Sequence, residues 1–131
     1  MDEATVREHI LRTCPGTTVI DAGGDSYFFT GPEQKHPFAT LVTSDAHDQA
    51  SDLGRPGVFR LNIGVGKARF QALFGTLEAG HDWKALDRLM PHPVYAKMRW
   101  ACVLNPGPAT WETVKELLAE AHAADLRKRG A

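Results

Sequence analysis

Residues 58–65 read VFRLNIGV, and their alternation decides the fold. Phe59, Leu61, Ile63 and Val65 fall on one side of an extended chain, Arg60, Asn62 and Gly64 on the other. One apolar and one polar set at a period of two predicts a half-buried antiparallel strand. Immediately upstream, residues 44–57 (SDAHDQASDLGRPG) hold almost no apolar side chains and end in the breakers Gly54, Pro56 and Gly57. They read as the longest loop, solvated along its length.

Further upstream, Pro37 opens a strand over residues 38–43, rich in aromatic and β-branched side chains. Residues 17–22 and 26–30 are two more β-type runs separated by Gly23-Gly24-Asp25, a hairpin signal because glycine accepts the positive φ of tight turns. Gly31-Pro32 closes the second run, and residues 33–36 form a polar connector. The chain starts with a helix that Asp2 can cap and that runs to about Thr13, with Val6 and Ile10 on one face; Pro15-Gly16 ends it.

Downstream, Lys67 to Phe74 reads as a short helix with Phe70, Leu73 and Phe74 on one face and Gly75 as its C-cap. Residues 82–89 read as a second helical piece placing Trp83, Leu86, Leu89 and Met90 inward, stopped by Pro91 and Pro93. A fifth strand over residues 99–104 leads through Asn105-Pro106-Gly107-Pro108 to the strongest helix. Thr110 can cap it, and Trp111, Val114, Leu117, Leu118 and Ala121 form one stripe through to about Lys128; residues 127–131 are expected to fray. The order predicts one α+β domain over residues 1–131, an antiparallel sheet of about five strands with helices mainly on one face.

Composition fits one compact domain: 131 residues, 43% hydrophobic and 24% charged. The opening Met1-Asp2-Glu3 is acidic, and no apolar run approaches the roughly 20 residues of a membrane span, so a soluble, cytoplasmic protein without membrane partners is expected. Cys14 and Cys102 form no CxxC pair and read as small buried apolar side chains, with a disulfide between them disfavoured in a reducing cytosol. Net charge is only −1, but residues 1–54 carry nine acids against three bases and residues 55–131 twelve bases against seven acids. The basic excess can either meet an anionic partner or pair with the acidic first half.

Three constellations carry chemistry. Gly64-Val65-Gly66-Lys67, between strand and helix, suggests an anion-binding turn. Arg69 stands where a dinucleotide fingerprint needs glycine, and Ala68 where a P-loop needs Ser or Thr, so a strand-to-helix turn with a motif-free anion contact by Lys67 is what remains. Asp45, His47, Asp48 and Asp52 are oxygen- and nitrogen-bearing groups in one loop, yet they lack the glycine and terminal glutamate of a calcium loop, and no metal is assigned. His92, Tyr95 and Arg99 bring an imidazole, a phenol and a fixed cation together, a useful set for an anionic small molecule. GxSxG, HExxH and SxxK are missing, so no catalytic residue and no cofactor is assigned. Trp100 and Trp111 read as core anchors.

RPGVFRLNIGV (residues 55–65), LMPHPVY (residues 89–95) and WACVLNP (residues 100–106) resemble a family of small bacterial proteins described as a domain of unknown function, over nearly the whole chain. More distantly, the N-terminal helix, the strand meander and the tryptophan strand followed by the Leu117-Leu118 helix resemble the MmcQ/YjbR-like proteins. That resemblance implies a double-wing α+β fold, for which DNA binding is suggested by analogy of shape. It implies no catalytic residues.

Two functions therefore stand. The first is a non-enzymatic binding or interaction domain that meets nucleic acid or another anion through Arg55, Arg60, Lys67, Arg69, Lys97 and Arg99. The second is a small-molecule enzyme or ligand-binding protein with a cleft between the Arg60/Asn62 strand face and the His92–Tyr95 segment. Either fits a monomer or a homodimer.

Overall fold

A computed structural model describes residues 1–75 and 81–128. Its strands are β1 (Thr17–Ala22), β2 (Asp25–Thr30), β3 (Ala39–Val42), β4 (Arg60–Gly64), β5 (Met90–Pro91) and β6 (Trp100–Leu104). They form one antiparallel sheet in the order β1-β2-β3-β4-β6-β5. Among the described residues the helices are α1 (Glu3–Thr13), α2 (Lys67–Phe74) and α3 (Pro108–Lys128), with a 3-10 turn at Ala96–Met98. This is an α+β architecture.

β4 lies inside the sheet, so its alternation organises two neighbours at once. Leu61 stands opposite Leu41 and Val103, while Asn62 stands opposite Thr40 and Cys102. The apolar rows join Phe28 and Ala39 to make one face. Val6 and Ile10 of α1, Phe70 of α2 and Trp111, Val114, Leu117 and Leu118 of α3 cover it in a single buried cluster. Each fully buried Leu or Ile contributes roughly 1.5–3 kcal/mol of transfer free energy, so this face holds most of the stabilising area.

Several elements sit where their chemistry places them. Asp2 caps α1 by accepting from the Thr5 N–H at 2.9 Å. The β1–β2 hairpin turns on Gly23 and Gly24, whose φ angles of 61° and 88° match the primed turn a two-residue connection favours. α2 has the expected bounds and ends at Gly75 with φ 66°.

Four expectations are corrected. β4 is not half-buried: Arg60 is 2% exposed, because residues 44–57 fold back over the helix-free face. That segment is consequently no freely solvated loop; Ser51 and Leu53 are buried, and Asp45 pins it by accepting from the Leu53 N–H at 2.9 Å. No helix forms over residues 81–89. Asp82 to Ala85 makes one turn, Asp87 adopts φ 58°, and its carboxylate accepts from the Gly107 N–H at the start of α3. Leu86 is correspondingly 49% exposed, whereas Trp83 packs on a second small cluster of Val42, Leu53, Met90, Cys102 and Leu104. Finally, α3 starts at Pro108, ahead of Thr110, since proline's missing N–H costs nothing in a first turn.

The short β5 adds a sixth strand beyond the five expected. Cys14 lies in the helix-covered cluster and Cys102 in the small one across the sheet, and both thiols are free. No described helix is long and apolar enough to cross a membrane. Of the expected fraying over residues 127–131, Arg127 and Lys128 are helical and residues 129–131 lie outside the described residues.

Candidate functional site

With the helices on one face, the polar row of β4 points to the other, where a cleft of about 950 Å3 opens. Thr40, Arg60, Asn62 and Gly64 line its floor along the strands. Residues 44–57 form one wall, the segment from His92 to Trp100 the opposite one, and the last turns of α3 reach its edge through Ala124, Asp125 and Lys128.

Arg60 fixes the first wall. Its Nη1 donates to Asp48 Oδ1 and Ser51 Oγ at 3.0 Å each, and its Nη2 donates to Asp48 Oδ2 at 2.7 Å. Its Nε donates to Asn62 Oδ1 at 3.0 Å, and Asn62 Nδ2 in turn donates to Thr40 Oγ1. A buried cation is tolerated only with such pairing. The Arg60 bonds hold the Asp48 carboxyl below its ordinary range, against burial, which pushes the other way.

His92 fixes the second wall. The ladder of β5 with β6 is prolonged by the His92 N–H donating to the Trp100 carbonyl at 2.9 Å. The ring then accepts at Nδ1 from the backbone N–H groups of Val94 and Tyr95, both at 3.0 Å, which winds the chain into the 3-10 turn. An Nδ1 that accepts twice is unprotonated, so the proton of the neutral ring sits on Nε2. His92 is 3% exposed, and Nε2 has no hydrogen-bond partner among the described residues. Burial, then the nearby Arg60 charge, lower its pKa to about 4, with Asp48 opposing.

Aromatic rings finish the cavity. The His92 and Tyr95 rings lie 4.9 Å apart at 38°, and Tyr95 is half exposed at the mouth. Trp100 lies across Gly64, where an added Cβ would come within 3.2 Å of the indole. On the far side, His47 Nε2 stands 3.1 Å from the buried Asp25 carboxylate and 2.9 Å from the Tyr27 hydroxyl. The Tyr27 pKa is raised by burial and then by Asp25, so the phenol stays protonated.

Charge at the cleft is asymmetric. Lys35, Lys67 and Lys128 line it, and none has a carboxylate partner among the described residues. Lys67 follows Gly66, which caps α2 with φ 83° and offers no side chain to the first-turn N–H groups. Asp125 also lines the cleft and accepts from the Thr30 hydroxyl. No group of three or more His, Cys, Asp or Glu converges as metal ligands do among the described residues.

Of the residues singled out in the sequence, Arg60, Asn62, His92, Tyr95 and Lys67 are brought together here. Lys97 and Arg99 belong to the 3-10 turn and its cap and are not among the residues lining the cleft: Arg99, at φ 65°, stacks over Phe70 and donates to the Lys97 carbonyl. Arg55 is bound to the Ser51, Asp52 and Lys84 carbonyls, and Arg69 to Glu120 with Glu116 nearby. Tyr27, Lys35, Thr40 and Lys128 were missed because they arrive from strands, a connector and a helix far away in sequence. Trp100, read as a core anchor, instead forms part of the cleft; its place beside Gly64 in the ladder was the available signal.

Sheet, helices and cleft define a small α+β protein with one covered face and one polar, aromatic recess. The chain belongs to the family of unknown function DUF6194, whose model matches residues 1–131. No curated protein and no solved structure matches it.

Proposed function

We propose that the protein binds a small, planar, anionic molecule in the cleft on the helix-free face. The observation that carries this reading is the combination, in one recess of about 950 Å3, of aromatic rings, His92, Tyr95 and Trp100 among them, with three lysines that lack carboxylate partners among the described residues. Such a volume suits a drug-sized ligand, and ligand sites combine apolar walls with a few convergent polar groups. Rings of His92, Tyr95 and Trp100 offer stacking surface, and Lys35, Lys67 and Lys128 offer charge.

The same placements favour a small ligand over nucleic acid. Arg55, Arg60 and Arg69 spend their guanidinium groups on internal acceptors, which removes three of the six cations a phosphate track would use. We read the protein as a non-enzymatic binder in a cytoplasmic, bacterial setting, in keeping with its two free buried thiols, and the MmcQ/YjbR-like resemblance as one of fold.

Calorimetric titration with phenyl phosphate tests the reading. Saturable binding is expected, weakened in Lys67→Ala and Tyr95→Ala. Absence of binding at millimolar concentration, or binding by both variants as tight as that of the native protein, refutes it.

A further inference from the structure

Resting on that reading, we infer that the ligand enters with an uncharged carbonyl-type oxygen first, and that this oxygen accepts the hydrogen bond of His92 Nε2 while the anionic group stays at the lysines. The ligand class is thus a planar ring bearing a carbonyl or lactam oxygen at one end and a phosphate or carboxylate at the other.

Geometry separates the two ends. The single lone pair of Nδ1 is shared by the Val94 and Tyr95 N–H groups, so the tautomer is set by the backbone and cannot invert without breaking two bonds. The remaining ring N–H is a donor on a residue 3% exposed, lining the cleft and without a partner among the described residues. A buried donor left unmade is costly, so the site is built for an acceptor.

That acceptor should carry no charge. The closest cation, Arg60, is already matched by both oxygens of Asp48, and the imidazole remains neutral down to about pH 4. An anion pushed to this depth would meet no uncompensated positive charge, and burying it would be strongly unfavourable. At the lysines the balance is reversed: Lys35, Lys67 and Lys128 form no ion pair among the described residues, and the acids that line the cleft with them are Asp48, already held by Arg60, and Asp125. The exposed N-terminal turn of α2, uncapped by any side chain, adds to the preference for an anion there.

Four probes separate the halves: uridine monophosphate (ring carbonyl and anion), uridine (carbonyl only), phenyl phosphate (ring and anion only) and inorganic phosphate. His92→Asn places an amide oxygen where Nδ1 accepts, keeping the turn while deleting the Nε2 donor; His92→Gln serves as the second variant with the outer donor retained. Uridine monophosphate should bind tightest. His92→Asn should weaken it and uridine roughly three- to tenfold and leave phenyl phosphate unchanged, with partial recovery in His92→Gln. Lys67→Ala should weaken all three phosphate-bearing probes and spare uridine. In the native protein, the His92 Nε2 proton resonance should move on adding uridine, which does not depend on any variant folding. Equal affinity for uridine monophosphate and phenyl phosphate, or an unmoved Nε2 resonance at saturation, overturns the inference alone and leaves the anion-binding cleft standing. Failure of all four probes overturns both.

Discussion

Replacing Asp48 by Ala strips the counter-charge from a guanidinium that is almost wholly buried. The Arg60 guanidinium donates four hydrogen bonds among the described residues, and two of them, at 3.0 and 2.7 Å, go to Asp48. Removing one partner of a buried pair costs about 3–5 kcal/mol, because the other charge is left uncompensated. Water can reach the Asp48 side of the pair, which is 13% exposed, so a value near ~3 kcal/mol is expected. With an unfolding entropy of about 2.1 cal/mol/K per residue, 131 residues convert that loss to a fall in Tm of roughly 10 °C. The double variant Asp48→Ala/Arg60→Met leaves no orphaned charge and should be more stable than Asp48→Ala alone. Differential scanning calorimetry at pH 7 reads both. The Asp48 carboxyl is depressed in the folded state, so its contribution is present above the unfolded pKa and lost as pH falls through the folded value; the gap between native protein and Asp48→Ala should close in acid. A Tm change under about 2 °C, or additive effects in the double variant, would refute the claim that this pair clamps residues 44–57 onto the sheet.

Three further outcomes follow from the same geometry. His92 takes up its proton at about pH 4 when folded against 6.5 when unfolded, so stability falls as pH drops through that window and levels off below it, by roughly 3 kcal/mol in all; thermal scans at pH 7 and 4.5 should show a larger loss for the native protein than for His92→Asn, and equal losses would contradict the assignment. Gly64→Val should push the Trp100 indole off the floor, costing about 1–3 kcal/mol and changing tryptophan emission, whereas unaltered emission would mean that the indole does not rest there. Cys102, its thiol pushed up to about 12 by burial, and the buried Cys14 should resist alkylation at pH 8 until denaturant is added; rapid labelling of the native protein would contradict their burial.

The sequence carried the helix-covered face well, because that face is built from local periodicity. The alternation of Phe59 to Val65, the spacing of Val6 and Ile10 and the Trp111 to Ala121 stripe each report burial through side chains a few residues apart. It carried the other face poorly. Residues 44–57 look like a solvated loop because the groups that hold them down, Asp48 and Ser51, are polar and find Arg60 only in the fold. Residues 82–89 have apolar spacings of three, but Asp87 turns left-handed to meet Gly107, and no local pattern announces that. Within the site, Arg60 and Asn62 lie near His92 because β6 stands between β4 and β5, and His92 follows β5 directly. Tyr27, Lys35 and Lys128 could not be placed there from the sequence, since they join the cleft from the two ends of the chain.

The most direct test of the central claim is backbone amide chemical-shift mapping during titration with phenyl phosphate. The account predicts saturable shifts concentrated at Thr40, Asn62, Gly64, Lys67, Tyr95 and Trp100, all of which line the cleft. Saturable shifts confined to the outer face of α1, or none at all, would contradict it.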